Sequence, residues 1–343
     1  MRALFALLLA CAFPLRAEEI RIEIHRGLRA ARLEGARRLS LAARGDDLLA
    51  DGKRVDQPLV ERAAGHGLRL EGQELSGRVE VWARGGALVV VNAVDLEDYV
   101  AAVVASEVPP SWPEEALRAQ AVAARTFAVA QKVAQGPAAR AHLGASVLDQ
   151  VYKGAAHPAK RALLAARATA GEVLTYGAAP IAAYFSASCG GVSEGPLAAF
   201  KVDVPYLAGG AVDPVEEKPG WTIRVSHAEL LAALRPRVGQ GARSVQVVSR
   251  TGSGRARSVR IDTPAGPRDV DAIELRQLLG YTRLPSLLFE VEMDGDTAVF
   301  RGKGSGHGVG LCQYGARSRA LRGQRYREIL AHYYPGAEIR RMY

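Results

Sequence analysis

One carboxylate stands out because its neighbours are mostly apolar. Glu107 is the only acidic residue between Val100 and Trp112, and Pro109-Pro110 follows one residue later. Apolar surroundings favour the protonated form of a carboxylic acid, which is the form that a general acid needs. The pattern therefore predicts a general acid at Glu107. A surface glutamate at a helix end is the alternative interpretation.

Two further segments carry groups that could react or bind. Cys189 follows a strand-like run and precedes two glycines, so a cysteine nucleophile with His307 as its base is conceivable. A packed or disulfide-bonded cysteine is the alternative. His307 lies within residues 302–310, where glycine recurs at every second position. If the segment is extended, one of its faces is bare backbone that another chain, protein or glycan, could approach closely. The alternative interpretation is a flexible loop without a binding role.

These groups need elements that hold them in place. Apolar spacing over residues 95–105 predicts a helix that ends at the pair of prolines. A second helix is predicted over 113–127, with Ser111 and Glu114 as its capping box. Arg125 would lie on the polar face of this helix, and such a face is usually solvated.

The wider pattern predicts an α+β fold. Short alternating runs separated by glycine and aspartate predict a β-rich N-terminal segment over residues 18–94. Helical and strand elements over 95–337 are expected to form a single catalytic region with a cleft. This region includes a second β-rich stretch at about 221–300.

Residues 1–17 are typical of a signal peptide. Arg2 precedes an apolar run, and Ala17 is a suitable cleavage residue. We therefore expect export to the periplasm, the cell wall or the medium. Leu8-Leu9-Ala10-Cys11 also has the form of a lipobox, so membrane attachment is expected only if Cys11 is lipidated. No later apolar run approaches the ~20 residues of a membrane span.

The composition excludes several classes of protein. The 343 residues are 48% hydrophobic and 24% charged, which is the globular range and argues against disorder or a coiled coil. The net charge of +9 falls to about +7 once residues 1–17 are removed. The basic residues are scattered and form no polybasic strip, so we expect no nucleic-acid partner. A moderate positive charge would suit an acidic polysaccharide.

Several segments, in this order, resemble the SpoIID/LytB family of bacterial cell-wall proteins. The likeness extends over about residues 95–337. The segments that carry it are residues 103–107, Trp112-Pro113, residues 119–127, residues 149–152, Pro180-Ile181, residues 188–191, residues 306–316, Ile329-Leu330 and residues 332–336.

The resemblance implies a lytic transglycosylase that cleaves peptidoglycan glycan strands, in sporulation members after their stem peptides are removed. Glu107 lies at the family's catalytic glutamate. It would protonate the oxygen between MurNAc and GlcNAc, then accept the C6 hydroxyl proton as 1,6-anhydro-MurNAc forms. The internal nucleophile makes a second carboxylate unnecessary, unlike in ordinary glycosidases. The motifs further suggest a set of sugar contacts or orienting residues: Gln120, Arg125, Gln150, Tyr152, His307 and Gln313.

The resemblance also bears on metals and cysteines. Some family members hold zinc through cysteine and histidine in the segment that corresponds to residues 141–149, which here has His142 but no cysteine. We therefore expect no metal and no cofactor. Cys189 and Cys312 lie in two different family motifs. They could meet as a disulfide, as part of the site wall, or with His307 as a metal site.

Two other functions remain open at this stage. Some relatives are described as enhancers of N-acetylmuramoyl-L-alanine amidases, so the protein could bind glycan or recruit a cell-wall amidase without cleaving the glycan itself. A cysteine-dependent amidase or peptidase that uses Cys189 is the second alternative. Glu107 within its full motif favours catalysis on the glycan.

Overall fold

The structure is a computed structural model. It describes residues 18–63, 67–145, 150–154, 158–207, 209–213, 218–239 and 241–343. The signal peptide predicted over 1–17, with Cys11, lies outside the described residues, and so does Asp149.

The N-terminal segment forms two sheets. Its strands are β1 (Glu19–Leu28), β2 (Ala30–Glu34), β3 (Arg38–Arg44), β4 (Asp47–Ala50), β5 (Lys53–Val55), β6 (Leu59–Arg62), β7 (Leu68–Leu70), β8 (Gln73–Leu75), β9 (Arg78–Arg84) and β10 (Ala87–Asp95). One sheet has the order β5-β4-β3-β2-β7-β8, and the other contains β1-β10-β9-β6. Alternate side chains of both sheets, such as Leu41 and Val81, are buried in one apolar core, as a period of two requires.

A group of helices follows directly from β10. They are α1 (Leu96–Glu107), α2 (Glu114–Gln135) and α3 (Lys160–Ala168), with the short strand β11 (Leu143–Gly144) added parallel to β1. Asp95 ends β10 and caps α1, because its Oδ1 accepts hydrogen bonds from the Glu97 and Asp98 backbone N–H groups at 2.8 and 3.2 Å. Small alanine and valine side chains allow the three helices to pack closely around one core.

The predicted capping box at the start of α2 is wrong. Pro113 occupies the N-cap position, and no side chain accepts a capping hydrogen bond there. Glu114 and Glu115 instead stand in the first turn, where the helix dipole favours negative charge. The predicted helix itself is confirmed and is longer than expected, because its buried face continues to Val129.

The rest of the chain alternates between strands and helices. Its elements are β12 (Glu172–Tyr176), β13 (Ala179–Pro180), β14 (Phe185–Ser186), α4 (Pro196–Phe200), a 3-10 turn (Pro205–Leu207), β15 (Trp221–Ser226), α5 (His227–Val238), β16 (Ser244–Arg250), β17 (Ala256–Asp262), β18 (Arg268–Asp271), α6 (Ala272–Leu279), β19 (Phe289–Asp294), β20 (Thr297–Gly302), β21 (Leu311–Cys312), α7 (Gln313–Leu321), α8 (Tyr326–Tyr333) and β22 (Glu338–Arg341).

Residues 221–302, called the insert below, form their own β-rich unit. The sheets β15-β20-β19 and β16-β17-β18 and the helices α5 and α6 enclose a separate apolar core that includes Leu230 and Phe300. The first and last residues of the insert pair with each other, because Trp221 lies opposite Gly302 in the β15–β20 ladder. After the insert the chain returns to the helical region, where β21 runs parallel to β14 and β22 pairs with β12.

The architecture is α+β with a β-rich N-terminal region, as predicted. Among the residues that the structure describes, no helix has the length and apolar character needed to cross a membrane.

Candidate active site

Glu107 is the last residue of α1, where the chain turns out of the helix. Val108 is extended (φ −134°, ψ 145°), and the two prolines after it cannot continue a helix. The Glu107 side chain is half-buried, and both carboxylate oxygens accept a hydrogen bond. The Val151 backbone N–H donates to Oε1 at 3.0 Å, and Gln313 Nε2 donates to Oε2 at 3.2 Å. These two donors hold the carboxylate in one orientation.

Gln313 comes from a distant part of the chain. It is the first residue of α7, which packs against α2, and Cys312 caps this helix by accepting a hydrogen bond from the Gly315 N–H at 3.3 Å. The Gln313 side chain is 3% exposed, so it has little freedom to reorient away from Glu107. The structure thus brings together Gln313 and Glu107, two of the predicted site residues.

Glu107 faces a cleft of about 1470 Å³. This volume exceeds the roughly 300–1,000 Å³ of most small-molecule pockets, so the cleft has room for an extended oligomer. One wall comes from residues 107–210, which include the end of α1 together with α2 and α4, and another wall comes from the insert. The first wall includes Glu107, Phe127, Tyr184, Leu197 and Phe200, and the second includes Trp221, Thr251, Arg255 and Arg276.

Two buried arginines give the insert wall a positive charge. Arg276 donates to the Leu284 carbonyl oxygen at 2.8 Å, and burial lowers its pKa to about 10, so it stays charged at neutral pH. Arg255 donates to the carbonyl oxygens of Cys189 and Val192 at 2.6 and 3.0 Å. A cationic wall of this kind favours an anionic ligand.

His307 lines the same cleft. Its ring packs edge-on against Phe200 at a centroid distance of 4.9 Å, and its Nδ1 accepts the Val309 backbone N–H at 3.0 Å. Burial lowers the pKa of His307 to about 4, and the charges of the two arginines act in the same direction, although a backbone hydrogen bond with Phe185 opposes them. The ring is therefore neutral at physiological pH, with its proton on Nε2.

Replacing His307 by asparagine should make the free energy of unfolding depend less on pH between pH 4 and 6.5. In the wild type the unfolded chain takes up a proton near pH 6.5 and the folded protein only near pH 4. Stability that is complete above pH 6.5 is therefore lost as the pH falls toward 4, by about 3 kcal/mol. Urea unfolding of both proteins from pH 4 to 8 measures this difference. Parallel curves over the whole range would show that the ring is not held neutral.

The bare face of the glycine-rich segment is covered by the protein itself. A Cβ at Gly310 would lie 2.0 Å from the Tyr184 carbonyl oxygen, and a Cβ at Gly308 would lie 2.1 Å from Arg255 Nη2. Both glycines also have positive φ angles, at 69° and 78°. The predicted close approach is therefore real, but the approaching groups belong to the same chain.

Two predicted sugar contacts point away from the cleft. Gln150 is 1% exposed; its Nε2 donates to the Ala124 carbonyl oxygen at 3.1 Å, and its Oε1 accepts the Tyr99 hydroxyl at 2.9 Å. The Tyr152 hydroxyl donates to Asn92 Oδ1 at 2.7 Å, and its ring packs on Tyr99. This geometry favours a structural role, in which both residues fasten the Val151 segment between them.

Arg125 is fully buried and is not on a solvated face. Its guanidinium pairs with both oxygens of Glu97, at 2.7 Å from Nε and 2.5 Å from Nη2, and also donates to the carbonyl oxygens of Ala166 and Glu172 at 3.0 and 3.3 Å. The ion pair joins α2 to the first turn of α1. Arg125 therefore supports the helix that ends in Glu107 and does not line the cleft.

Gln120 occupies a different kind of position. Its side chain is 1% exposed, and neither amide atom has a hydrogen-bond partner among the described residues. It does not line the cleft.

Sequence reasoning missed Glu194, a second carboxylate on the cleft wall. Its oxygens accept hydrogen bonds from the Gly195 N–H at 2.8 Å and from the hydroxyls of Thr251 and Ser253 at 2.6 and 2.9 Å. Glu194 thereby ties the helical region to the insert. The signal was available, because Glu194 is the only acidic residue between positions 173 and 202.

The geometry does not support a cysteine nucleophile. Cys189 is fully buried, and it is not among the residues that line the cleft. The base suggested for it, His307, accepts a backbone N–H through Nδ1 and resists protonation. A cysteine-dependent amidase or peptidase would need both groups to face the substrate.

Comparisons with known proteins give two family matches and several relatives. Residues 84–176 match the SpoIID family, described as Stage II sporulation protein, and residues 217–310 match a domain of unknown function. An uncharacterized protein of Brachyspira hyodysenteriae is 36% identical over 278 residues, which are 80% of this chain and 74% of that protein. Stage II sporulation protein D of Bacillus subtilis is 33% identical over 272 residues, 73% of this chain and 75% of the relative. The amidase enhancer of Bacillus subtilis is 29% identical over 287 residues, which are 69% of this chain but 39% of that protein.

Proposed function

The chain belongs to the SpoIID family, which has a role in the cell wall, and from this we propose that it is an exported lytic transglycosylase of peptidoglycan glycan strands. One observation carries the proposal. The carboxylate of Glu107 is fixed by two donors at the edge of a cleft large enough for several sugar rings. Residues 1–17 would direct export, since peptidoglycan lies outside the cytoplasmic membrane.

In the first step, protonated Glu107 gives its proton to the glycosidic oxygen between MurNAc and GlcNAc. The C1–O bond breaks, and positive charge develops on C1 of MurNAc. Glu107, now a carboxylate, takes the proton of the C6 hydroxyl while O6 bonds to C1. The products are 1,6-anhydro-MurNAc and a free GlcNAc 4-hydroxyl, no water is consumed, and Glu107 ends as it began.

Gln313 suits a group that acts first as an acid and then as a base. Its amide donates to the Glu107 carboxylate through Nε2, and a flip of the amide in place would let its Oε1 accept a hydrogen bond from the carboxylic acid. The Val151 N–H holds the other oxygen in both states. The two contacts therefore keep the direction of the carboxyl group constant while its proton leaves and returns.

Two further carboxylates among the described residues line the cleft, Glu194 and Asp271, and both are engaged by protein groups, which favours transglycosylation over hydrolysis. Asp271 caps α6 by accepting the Ile273 N–H at 2.8 Å, and it lies 3.9 Å from Lys201 Nζ. Hydrolases of ordinary type need a second carboxylate as nucleophile or base. Glu194 is 5% exposed and already accepts three hydrogen bonds from protein groups, so it is occupied as a structural link. The internal C6 hydroxyl supplies the nucleophile that these two carboxylates do not.

The charge of the cleft supports a glycan without stem peptides as the substrate. Removal of the peptide frees the lactyl carboxylate of each MurNAc, so the strand becomes a polyanion. Arg255, Arg276 and Lys218 line the cleft and would attract it. Phe200 and Leu197, which are 36% and 58% exposed, offer apolar surface to the faces of the sugar rings.

Product analysis by mass spectrometry tests the proposal. Purified protein is incubated with amidase-stripped glycan strands and, in parallel, with intact peptidoglycan. Anhydro-MurNAc ends, formed faster on the stripped strands, are the expected result. Reducing MurNAc ends would indicate hydrolysis and point to Asp271 or Glu194 as the second acid. No cleavage of either substrate would contradict an enzymatic role.

Replacing Gln313 by leucine should slow glycan cleavage at least tenfold, because Glu107 loses the donor that orients it. Leucine has a similar volume and removes no other hydrogen bond of this side chain that the described residues show, so the unfolding temperature should change little. Initial rates of anhydro end formation and a thermal scan on the same sample measure both quantities. A rate equal to that of the wild type would mean that Gln313 does not position Glu107.

A second candidate function is the enhancement of a cell-wall amidase, because one relative bears the name amidase enhancer. In this case the protein would bind glycan in the cleft and recruit the amidase. The test is the rate at which a purified N-acetylmuramoyl-L-alanine amidase releases stem peptides with and without this protein. A stimulation that persists when glycan cleavage is abolished would establish the enhancer role.

A further inference from the structure

Three side chains of metal-ligand type meet behind the cleft, away from the proposed chemistry. Cys189, Asp213 and Cys312 each place one donor atom within 4.8 Å of the other two. All three are at most 1% exposed, and both cysteines are present as thiols. No step proposed for Glu107 uses any of them.

Three separate segments fix this cluster. Cys189 follows β14, and Cys312 ends the adjacent parallel strand β21. Asp213 is held by its backbone N–H, which donates to the Gly191 carbonyl oxygen at 2.9 Å. The convergence therefore depends on the fold and not on neighbouring positions in the sequence.

The surroundings of Cys312 suit a negatively charged sulfur. Its Sγ accepts the backbone N–H groups of Cys189 at 3.1 Å and of Gly315 at 3.3 Å. It also stands at the N-cap of α7, where the helix dipole favours an anion. Backbone N–H groups directed at sulfur stabilise a thiolate, which is the form that binds metals.

The two carboxylate oxygens of Asp213 face different groups: Oδ2 faces Cys189, and Oδ1 faces the basic side chains of Arg319 and His332. Oδ1 accepts Arg319 Nε at 2.9 Å and lies 3.7 Å from His332 Nε2. Oδ2 lies 3.6 Å from Cys189 Sγ and accepts the Tyr333 hydroxyl at 2.6 Å. Metal-binding carboxylates are commonly oriented in this way by hydrogen bonds to the oxygen that does not face the metal.

Position 315 must be glycine for this arrangement to exist. A Cβ there would lie 2.1 Å from the Tyr333 hydroxyl oxygen and 2.4 Å from Asp213 Oδ2. The φ of Gly315 is not in the left-handed region, so the requirement is for space and not for backbone freedom. The space that a side chain would fill is occupied by the Tyr333 hydroxyl and the Asp213 carboxylate.

We propose that Cys189, Cys312 and Asp213 bind a zinc ion, and that the Tyr333 hydroxyl orients the Asp213 carboxylate through its hydrogen bond to Oδ2. Zn–S bonds of about 2.3 Å in a tetrahedron place two sulfurs about 3.8 Å apart, which is within the spacing seen here. Two thiolates and one carboxylate around Zn²⁺ leave one negative charge, which Arg319 neutralises. Binding would release two protons, one from each thiol. This site is distinct from the segment around His142, which contains no cysteine.

The site would act on the active centre through one peptide bond. Cys312 directly precedes Gln313, which donates to Glu107. A metal at Cys312 would fix the first turn of α7 and, with it, the position of that amide. The proposed zinc site does not depend on the proposed reaction, because metal content and activity are measured separately.

The experiment is metal analysis of the purified full-length protein, reduced, saturated with Zn²⁺ and freed of excess metal. We expect one zinc per chain, two protons released per zinc, and a thiolate-to-metal charge-transfer band in the Co²⁺ form. C189S and C312S should lose the zinc, whereas H142A, the matched control, should keep it. If the serine variants do not fold, the Co²⁺ spectrum of the wild type decides alone.

Three results would overturn the proposal. The first is a protein with two titratable thiols that binds no zinc and gives no Co²⁺ charge-transfer band. The second is a Cys189–Cys312 disulfide that resists mild reduction of the native protein, detected as a mass lower by two hydrogens. Zinc that survives C189S and C312S but is lost in H142A would assign the metal to the other segment and equally reject this site.

Discussion

Replacing Glu107 by glutamine is expected to lower the rate of anhydro-MurNAc formation on the order of 10³-fold. Glutamine has the same shape, and its Oε1 can still accept the Val151 N–H, so the local structure should persist. The amide cannot donate the proton that the leaving oxygen needs, and it cannot accept the proton of the C6 hydroxyl. Both steps fail together because one residue performs both. Initial rates by mass spectrometry of the released ends measure the loss.

The matched control for this variant is Glu114→Gln at the start of α2. Glu114 is 59% exposed and pairs with Arg118 at the surface, so the control should keep wild-type activity within about twofold. Stimulation of an amidase should be the same for Glu107→Gln and the wild type if the enhancer role is also present. Full glycan cleavage by Glu107→Gln would remove this residue from the mechanism.

Replacing Arg125 by methionine is expected to lower the free energy of unfolding by about 3–5 kcal/mol. The change leaves the Glu97 carboxylate facing α2 without its partner and leaves the Ala166 carbonyl oxygen without its donor. Burial alone would raise the pKa of Glu97, but Arg125 more than offsets this and holds the pKa below its ordinary value. The contribution of the pair is therefore complete above pH 4.5 and is lost as the pH falls through the lower folded-state value. Urea unfolding at pH 7 and pH 4 measures the change.

Two further variants distinguish the effect of losing the buried ion pair from the effect of removing one positive charge. Arg118→Met breaks an exposed pair on the same helix and should cost less than about 1 kcal/mol. The double variant Glu97→Gln with Arg125→Met should recover part of the stability, because no unpaired carboxylate remains. If Arg125→Met is as stable as the wild type but needs more glycan for half-maximal rate, Arg125 contacts the substrate after all.

The sequence predicted the elements around the site better than the directions of the side chains. Apolar spacing and the pair of prolines located the end of α1, and with it Glu107, because both act over a few residues. The same logic did not predict that Gln150 and Arg125 are buried and hydrogen-bonded within the protein. A polar residue in a family motif can face a ligand or complete a buried network, and only the packing of distant segments decides which.

The insert wall could not be predicted from local patterns. Arg255 contacts Cys189 and Val192, and Thr251 contacts Glu194. The partners are more than 50 positions apart in the sequence, so no short motif predicts these contacts. The capping box at Ser111 failed for a different reason. The helix begins at Glu114, so Ser111 lies two residues before the N-cap, and the N-cap itself is proline, whose side chain has no acceptor.

The pairing of Trp221 with Gly302 brings the entry and exit of the insert to adjacent points, about 5 Å apart. Because its two ends are adjacent, the insert could be replaced by another domain without moving the chain ends to which it is joined. In the proposed function, Glu107 and the cationic wall that would attract the glycan therefore lie in different pieces of one chain. Evolution, or an engineer, could graft a new recognition wall opposite an unchanged Glu107 and redirect the same cut to a strand of different length or charge.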